Sequence, residues 1–182
     1  MKHYKTFAWM MATAIAGMMM TACSLDNDEP EKPFTTDPEP SSTPLYACGL
    51  PTYDTRTDVE ILFTEDDIEW FDLNTREIRF RDMDEPLYKR MQPFHEIQFN
   101  MGDYPLFVVS SFVGLWDSRV FTDLVLCYGN QETLQLDGYY LYDCYPLPLF
   151  INDERVKANI KKNAKQWETF TKYLESKGKL RK

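Results

Sequence analysis

The stretch Ile68-Glu69-Trp70-Phe71-Asp72-Leu73-Asn74-Thr75-Arg76-Glu77-Ile78-Arg79-Phe80-Arg81 decides the fold class. Ile68-Glu69-Trp70 alternates apolar and charged residues, and Leu73-Asn74-Thr75-Arg76 reads as a turn. Glu77-Ile78-Arg79-Phe80-Arg81 then alternates again. Side chains along a strand point to opposite faces with a period of two, so Ile78 and Phe80 share a core face while Glu77, Arg79 and Arg81 face water. This is an antiparallel hairpin covered on one side only.

Working outward, the same kind of signal recurs. Val59 to Phe63, Phe94 to Phe99 and Leu106 to Val113 read as strands, the last apolar enough to be central. Val120 to Tyr128 pairs with Thr133 to Leu136 across Gly129-Asn130-Gln131, and Gly138 opens a further strand, Tyr139 to Tyr145, ended by Pro146 and Pro148. Residues 82–93, with Pro86 and Pro93, read as turn.

One long helix follows. Asn152 is positioned as its N-cap, with Asp153 and Glu154 in the first turn and Ile151 and Val156 spaced as a hydrophobic staple. Val156, Ile160, Ala164, Trp167, Phe170 or Thr171, and Leu174 form one apolar stripe at helical spacing, and Gly178 stops the helix. The expected architecture is α+β: a mostly antiparallel sheet of six to eight strands with one C-terminal helix packed on it. Residues 45–182 make a single domain of this kind.

Apolar residues make up 43% of the 182-residue chain and aromatics 15%, which places the body among globular chains and inclines it toward sheet. The formal net charge is −9. Residues 24–44 carry −5, residues 45–152 carry −12 and residues 153–182 carry +6. So acidic a chain is repelled by nucleic acid. The basic C-terminal segment either docks on the acidic body or presents a face to a partner.

The N-terminus carries the most specific pattern. Lys2 and Lys5 precede an uncharged run over residues 6–22, the layout of a secretory signal. Met20-Thr21-Ala22-Cys23 resembles the lipobox of bacterial lipoproteins, with Met20 standing where Leu is commoner. The resemblance implies cleavage before Cys23, diacylglycerol on its thiol and further acylation, such as palmitate, of the new N-terminus. Two or three acyl chains anchor stably where one does not, at about 0.8 kcal/mol per buried CH₂. The run Ser24-Leu25-Asp26-Asn27-Asp28-Glu29 is similar to an acidic tag that exports lipoproteins to the outer face of the outer membrane. The resemblance thus implies an outer-membrane lipoprotein facing the cell exterior, or the periplasm in the alternative. Residues 23–44, with Pro30, Pro33, Pro38, Pro40 and Pro44, form an acidic, stiff tether that could hold the body up to roughly 60 Å from the bilayer.

For chemistry, the residues offer little. His95 is the one histidine downstream of Cys23. A triad would need it together with Ser110, Ser111 or Ser118, and no nucleophile elbow is present. The acid clusters Glu65-Asp66-Asp67-Glu69 and Asp82-Asp84-Glu85 could supply paired carboxylates for glycoside hydrolysis, or calcium ligands, or merely solvated turns. Beyond Cys23, the cysteines are Cys48, Cys127 and Cys144. Cys127 and Cys144 lie in neighbouring strand candidates and are the candidate disulfide, with buried free thiols as the alternative. Metal-ligand spacings are lacking, and no cofactor is expected. Tyr140 and Tyr142 project from one face of a strand and Tyr139 and Tyr145 from the other. If Tyr140 and Tyr142 are exposed, they form a platform for a sugar ring or a partner protein; otherwise both pairs are covered. The expected function is therefore a membrane-anchored, non-catalytic binding or assembly component of the cell envelope, with a glycan or an envelope protein as partner. The alternatives are a small hydrolase using carboxylates or His95, and an envelope structural subunit.

Overall fold

The computed structural model of the protein describes residues 43–51, 59–114, 118–130 and 132–182. Cys23, the signal segment and residues 24–42 of the tether lie outside the described residues. The body is α+β: a nine-stranded sheet with one long C-terminal helix. The strands are β1 (Leu45–Gly49), β2 (Glu60–Thr64), β3 (Ile68–Asp72), β4 (Glu77–Phe80), β5 (Glu96–Met101), β6 (Tyr104–Val113), β7 (Val125–Asn130), β8 (Gln135–Tyr142) and β9 (Leu180–Arg181). Their order across the sheet is β2-β1-β5-β6-β7-β8-β4-β3-β9. Antiparallel pairs dominate, but β6 runs parallel to β7 and β3 parallel to β9. The sheet is therefore mixed, and slightly larger than the six to eight strands expected from sequence.

The decisive hairpin forms as read. β3 pairs antiparallel with β4, Asp72 accepts from the Asn74 and Thr75 N–H groups at 2.8 and 3.0 Å to cap the turn, and Ile78 is fully buried. β2 and β3 stand at nearly opposite ends of the strand order, yet only Glu65–Asp67 join them. Such a short connection requires the sheet to curl until its ends approach. The junction is fastened: Glu65 N–H donates to Leu45 O at 2.8 Å, Glu65 Oε2 accepts from Leu45 N–H at 3.1 Å, and Asp67 Oδ2 accepts from the Thr64 N–H and hydroxyl.

The curl gives the sheet a concave face, and helix α3 (Glu154–Ser176) closes it. Phe170, Tyr173 and Leu174 are fully buried among Leu45, Phe63, Phe71, Phe99 and Phe107. Rings meet edge to face, Phe71–Phe170 at 5.6 Å and Phe107–Phe170 at 5.6 Å between centroids. The helix starts one residue later than its sequence suggests. Asp153, not Asn152, is the N-cap, and its side chain accepts from Arg155 N–H at 2.8 Å. Hydrogen bonds from Arg155 hold the Asp153 carboxyl down at about 2. That shift moves the fourth helical position to Lys157, so the Ile151–Val156 staple spacing does not apply. Only Val156 and the C-terminal half of the stripe are sealed, and Ile160 is 41% exposed.

The end of α3 is a Schellman turn. Gly178 has φ +68°, Gly178 N–H donates to Glu175 O and Lys179 N–H donates to Leu174 O. The chain then adds β9, and the basic tail engages the body: Lys177 pairs with Glu65 at 3.3 Å, Lys179 Nζ donates to the Glu65 and Ile68 carbonyls, and Arg181 lies over the Trp70 ring at 3.7 Å. Docking on the acidic body thus accounts for Lys177, Lys179 and Arg181, while Lys182 pairs with Glu175 of α3 at 2.6 Å and Lys161 and Lys162 face solvent.

Three local expectations are revised. Residues 82–93 are not all turn: α1 (Leu87–Met91) forms there because Leu87 and Met91, one turn apart, both bury. Residues 133–145 are not two strands. Gln135–Tyr142 is continuous through Gly138, since pairing with β7 carries it across the glycine. Finally, the structure adds β1 and β9: Leu45-Tyr46-Ala47-Cys48-Gly49 is buried at four of five positions and shows no alternation, and β9 has only two residues.

Candidate functional site

Strand β8 presents tyrosines on both of its faces, and their surroundings differ. Tyr140 and Tyr142 are 4% and 2% exposed, stacked with centroids 5.5 Å apart and planes within 8°. They pack with Phe112, Val125, Cys127 and Tyr145 in a second, smaller core on the convex face. The platform expected of Tyr140 and Tyr142 is therefore absent as a surface feature. After Tyr142 the chain turns back at Asp143–Cys144, Tyr145 bridges to Phe121, and α2 (Leu147–Phe150) begins, so this return covers the pair. For the same reason Tyr145 joins Tyr140 and Tyr142 instead of Tyr139. Tyr140 remains hydrogen-bonded inside: Asn130 Nδ2 donates to its hydroxyl at 3.0 Å and the hydroxyl donates to Asp137 at 3.2 Å. Burial is the largest cause pushing its phenol up to about 12.

Tyr139, one residue away, faces the concave side. There α3 no longer covers the sheet, and an open groove of about 600 Å³ lies between β4 and β8. Its wall is aromatic. Tyr88 of α1 stacks on Tyr128 at 4.9 Å and 23°, Tyr128 meets Tyr139 at 4.9 Å, and Tyr139 meets Phe80 edge-on at 5.1 Å. Tyr88 N–H donates to the Tyr139 hydroxyl at 2.9 Å, which ties α1 to β8. Burial first, partly offset by that hydrogen bond, pushes the Tyr139 phenol up to about 12, so its hydroxyl stays protonated at neutral pH. The rim is charged: Arg79 and Arg81 on the β4 side, Asp137 on β8, with Glu69 and Asp82 beside them.

The groove exists because the ladder splits. β4 and β8 pair only at Glu77↔Tyr140 and Ile78↔Tyr139. Beyond that point β8 bulges, with a register shift between Tyr128 and Asn130 on its other edge. Tyr88 and Tyr128 come from segments 40 residues apart in sequence, and neither lies in an alternation that marks a site. The sequence signal that could have flagged the place is Gly138 within a strand, a common mark of a bulge.

The other candidates are placed as follows. Cys48, Cys127 and Cys144 are buried, and the Cys127 thiol donates to Gly129 O at 3.4 Å. The structure holds no Cys127–Cys144 disulfide; Cys127 lies opposite Tyr140 in the β7–β8 register. Cys144 lies beyond the end of β8, in the bend where the chain turns back. Burial pushes the Cys144 thiol up to about 11. His95 is exposed just ahead of β5, and Ser111 is buried with its hydroxyl donating to Phe94 O at 2.6 Å, which leaves that serine engaged in structure. Glu65 and Asp67 cap the β2–β3 junction. Asp82, Asp84 and Glu85 line an open cavity of about 460 Å³ with Asp67, Met83 and Arg90. Among the described residues no group of three or more His, Cys, Asp or Glu side chains is placed to hold a metal ion, and no helix is long and apolar enough to cross a membrane.

A smaller cavity of about 170 Å³ lies where α3 leaves the sheet, lined by Arg76, Asp123, Leu124, Asp143, Ile160 and Trp167 among others. Arg76 has φ +62°, pairs with Asp143 at 2.7 Å and lies over the Trp167 ring at 4.5 Å. Its Nη1 is buried without a hydrogen-bond partner. Burial is the largest influence on Asp143 and raises its carboxyl above the usual range, against the pull of Arg76. This pair closes the gap between sheet and helix.

No known family model, no curated protein and no solved structure matches the chain.

Proposed function

We propose that this protein is a lipid-anchored binding component of the bacterial cell envelope. Acyl chains on Cys23 hold it at the outer membrane, most simply on the outer face, and the folded body captures a ligand in the groove between β4 and β8. The observation that carries this reading is the groove itself. It has a wall of three tyrosines and a rim of five charged side chains, at a part of the concave face that α3 leaves uncovered. Half-buried tyrosine combined with a charged rim suits recognition of a polar ligand. The hydrolase alternative would have to use Glu69, Asp82 and Asp137, the carboxylates that share this groove.

The test is a thermal-shift screen of the lipidated full-length protein in detergent against soluble glycans, peptidoglycan fragments and short peptides. A ligand present at a hundred times its Kd adds about 2.7 kcal/mol and raises the Tm by several degrees. The expected outcome is a shift with one ligand class that disappears in Tyr88→Ala. A flat response to all three classes would overturn the reading.

A further inference from the structure

Every strand edge in a sheet either pairs or is left with main-chain groups to satisfy. In β4 the parity of those groups can be assigned. Leu141 N–H donates to Arg76 O at 3.0 Å, so residue 76, and with it 78 and 80, turns its main-chain groups toward β8. Arg81 N–H donates to Asp67 O at 2.8 Å, which turns 79 and 81 the other way, toward β3. Ile78 finds its partner in Tyr139, and the ladder then stops. The next inward-turned residue, Phe80, therefore aims its N–H and C=O into the groove, facing Asp137 and Gly138 across the split, where Gly138 has no side chain to cap the edge.

Resting on the reading of the groove as a binding site, we propose that its ligand is a short extended segment of a partner polypeptide, which adds as a strand between the diverging ends of β4 and β8. The segment hydrogen-bonds to the main chain of Phe80. Three or four extended residues span about 10–13 Å, a length commensurate with a groove of about 600 Å³. Strand addition draws affinity from the main chain and specificity from alternate side chains. Here the inward side chain meets Phe80 and Tyr139 and should be apolar or aromatic. Arg79 and Arg81 stand beside Glu69 and Asp82 on the β4 side, a mixed-charge lip, whereas Asp137 stands on the β8 lip and calls for a basic residue there. Proline is excluded at the residue whose N–H must reach Phe80 O. The acidic tether of this chain, rich in proline, does not meet that description, so the partner is another molecule.

The probe is a displayed library of random seven-residue peptides, with the lipidated protein in detergent as bait. The expected result is a family of proline-free binders with alternating apolar positions, which lose at least tenfold in affinity on Tyr88→Ala. Two further readouts are specific to strand addition. N-methylation of the best peptide should abolish binding at alternate residues only, and the bound peptide should slow hydrogen exchange of the Phe80 amide at least tenfold. Binding that tolerates N-methylation throughout, or leaves the Phe80 amide unprotected, overturns the proposal. A thermal shift with oligosaccharides but no selected peptide overturns strand addition while leaving the binding reading intact. Failure of every class overturns both.

Discussion

Tyr139 and Tyr140 are neighbours on one strand, have the same side chain and share a raised phenol pKa of about 12. Yet Tyr140 is sealed in a small convex core with Tyr142, and Tyr139 forms the wall of an open groove with Tyr88 and Tyr128. The difference is set by what comes back over each face. On the convex side, residues 143–150 return as a turn and a short helix and cover the rings. On the concave side, α3 spends its buried residues nearer the centre of the sheet, and the short helix α1 approaches the tyrosines. An aromatic residue on a strand thus becomes core or binding surface according to the covering segment, which its own flanks do not encode.

The comparison can be broken most forcefully at Tyr142. Tyr142→Ala should destabilise the protein by about 3–5 kcal/mol, the range for removing a buried large aromatic, read from urea unfolding. A loss below about 1 kcal/mol would mean the convex cluster is not sealed. Arg76→Ala should cost about 1–3 kcal/mol, since it strands Asp143 in a buried place. The pH dependence has a definite sign. A carboxyl raised in the folded state binds protons that the unfolded state releases, so its stabilising contribution is lost as pH rises from about 3.8 through the raised value. Arg76 pulls that value down, so its removal should extend this loss to higher pH, and Asp143→Asn should abolish it. Unfolding midpoints measured across pH 4 to 8 check both.

At Tyr88 the balance reverses. Tyr88→Ala should cost only about 1 kcal/mol of stability, because the ring is half-exposed, while removing the thermal shift given by a groove ligand. A stability loss as large as that of Tyr142→Ala would make Tyr88 core instead of surface. The smallest effect concerns the thiols. Cys48, Cys127 and Cys144 should resist alkylation in the folded protein and all react once it is unfolded in urea without reductant, with no change in mass that would signal a bridge. Reaction of only one of the three on unfolding would restore the Cys127–Cys144 pair.

How far the candidate site was legible is shown by particular residues. Tyr139 was visible as an aromatic on the face opposite Tyr140. Its partners Tyr88 and Tyr128 were not, because Tyr88 lies in a stretch whose two prolines read as turn, and Tyr128 lies in β7 beside a bulge that resets the register. Cys144 lies in the bend beyond β8, so its position relative to Cys127 depends on where the returning chain lands and not on strand adjacency.

Within the chain's own sequence, residue periodicity and turn chemistry were enough to determine an α+β body. The alternation of Ile78 and Phe80, the Asp72 turn and the stripe ending in Phe170 and Leu174 are local patterns, each enforced within a few residues by sterics and solvation. The tertiary structure alone decided which tyrosines are sealed, where β4 and β8 part, and that the cysteines stay apart. Those outcomes depend on strand register, on the curl forced by the three-residue β2–β3 junction, and on where the returning segments land. All three arise from contacts between residues far apart along the chain.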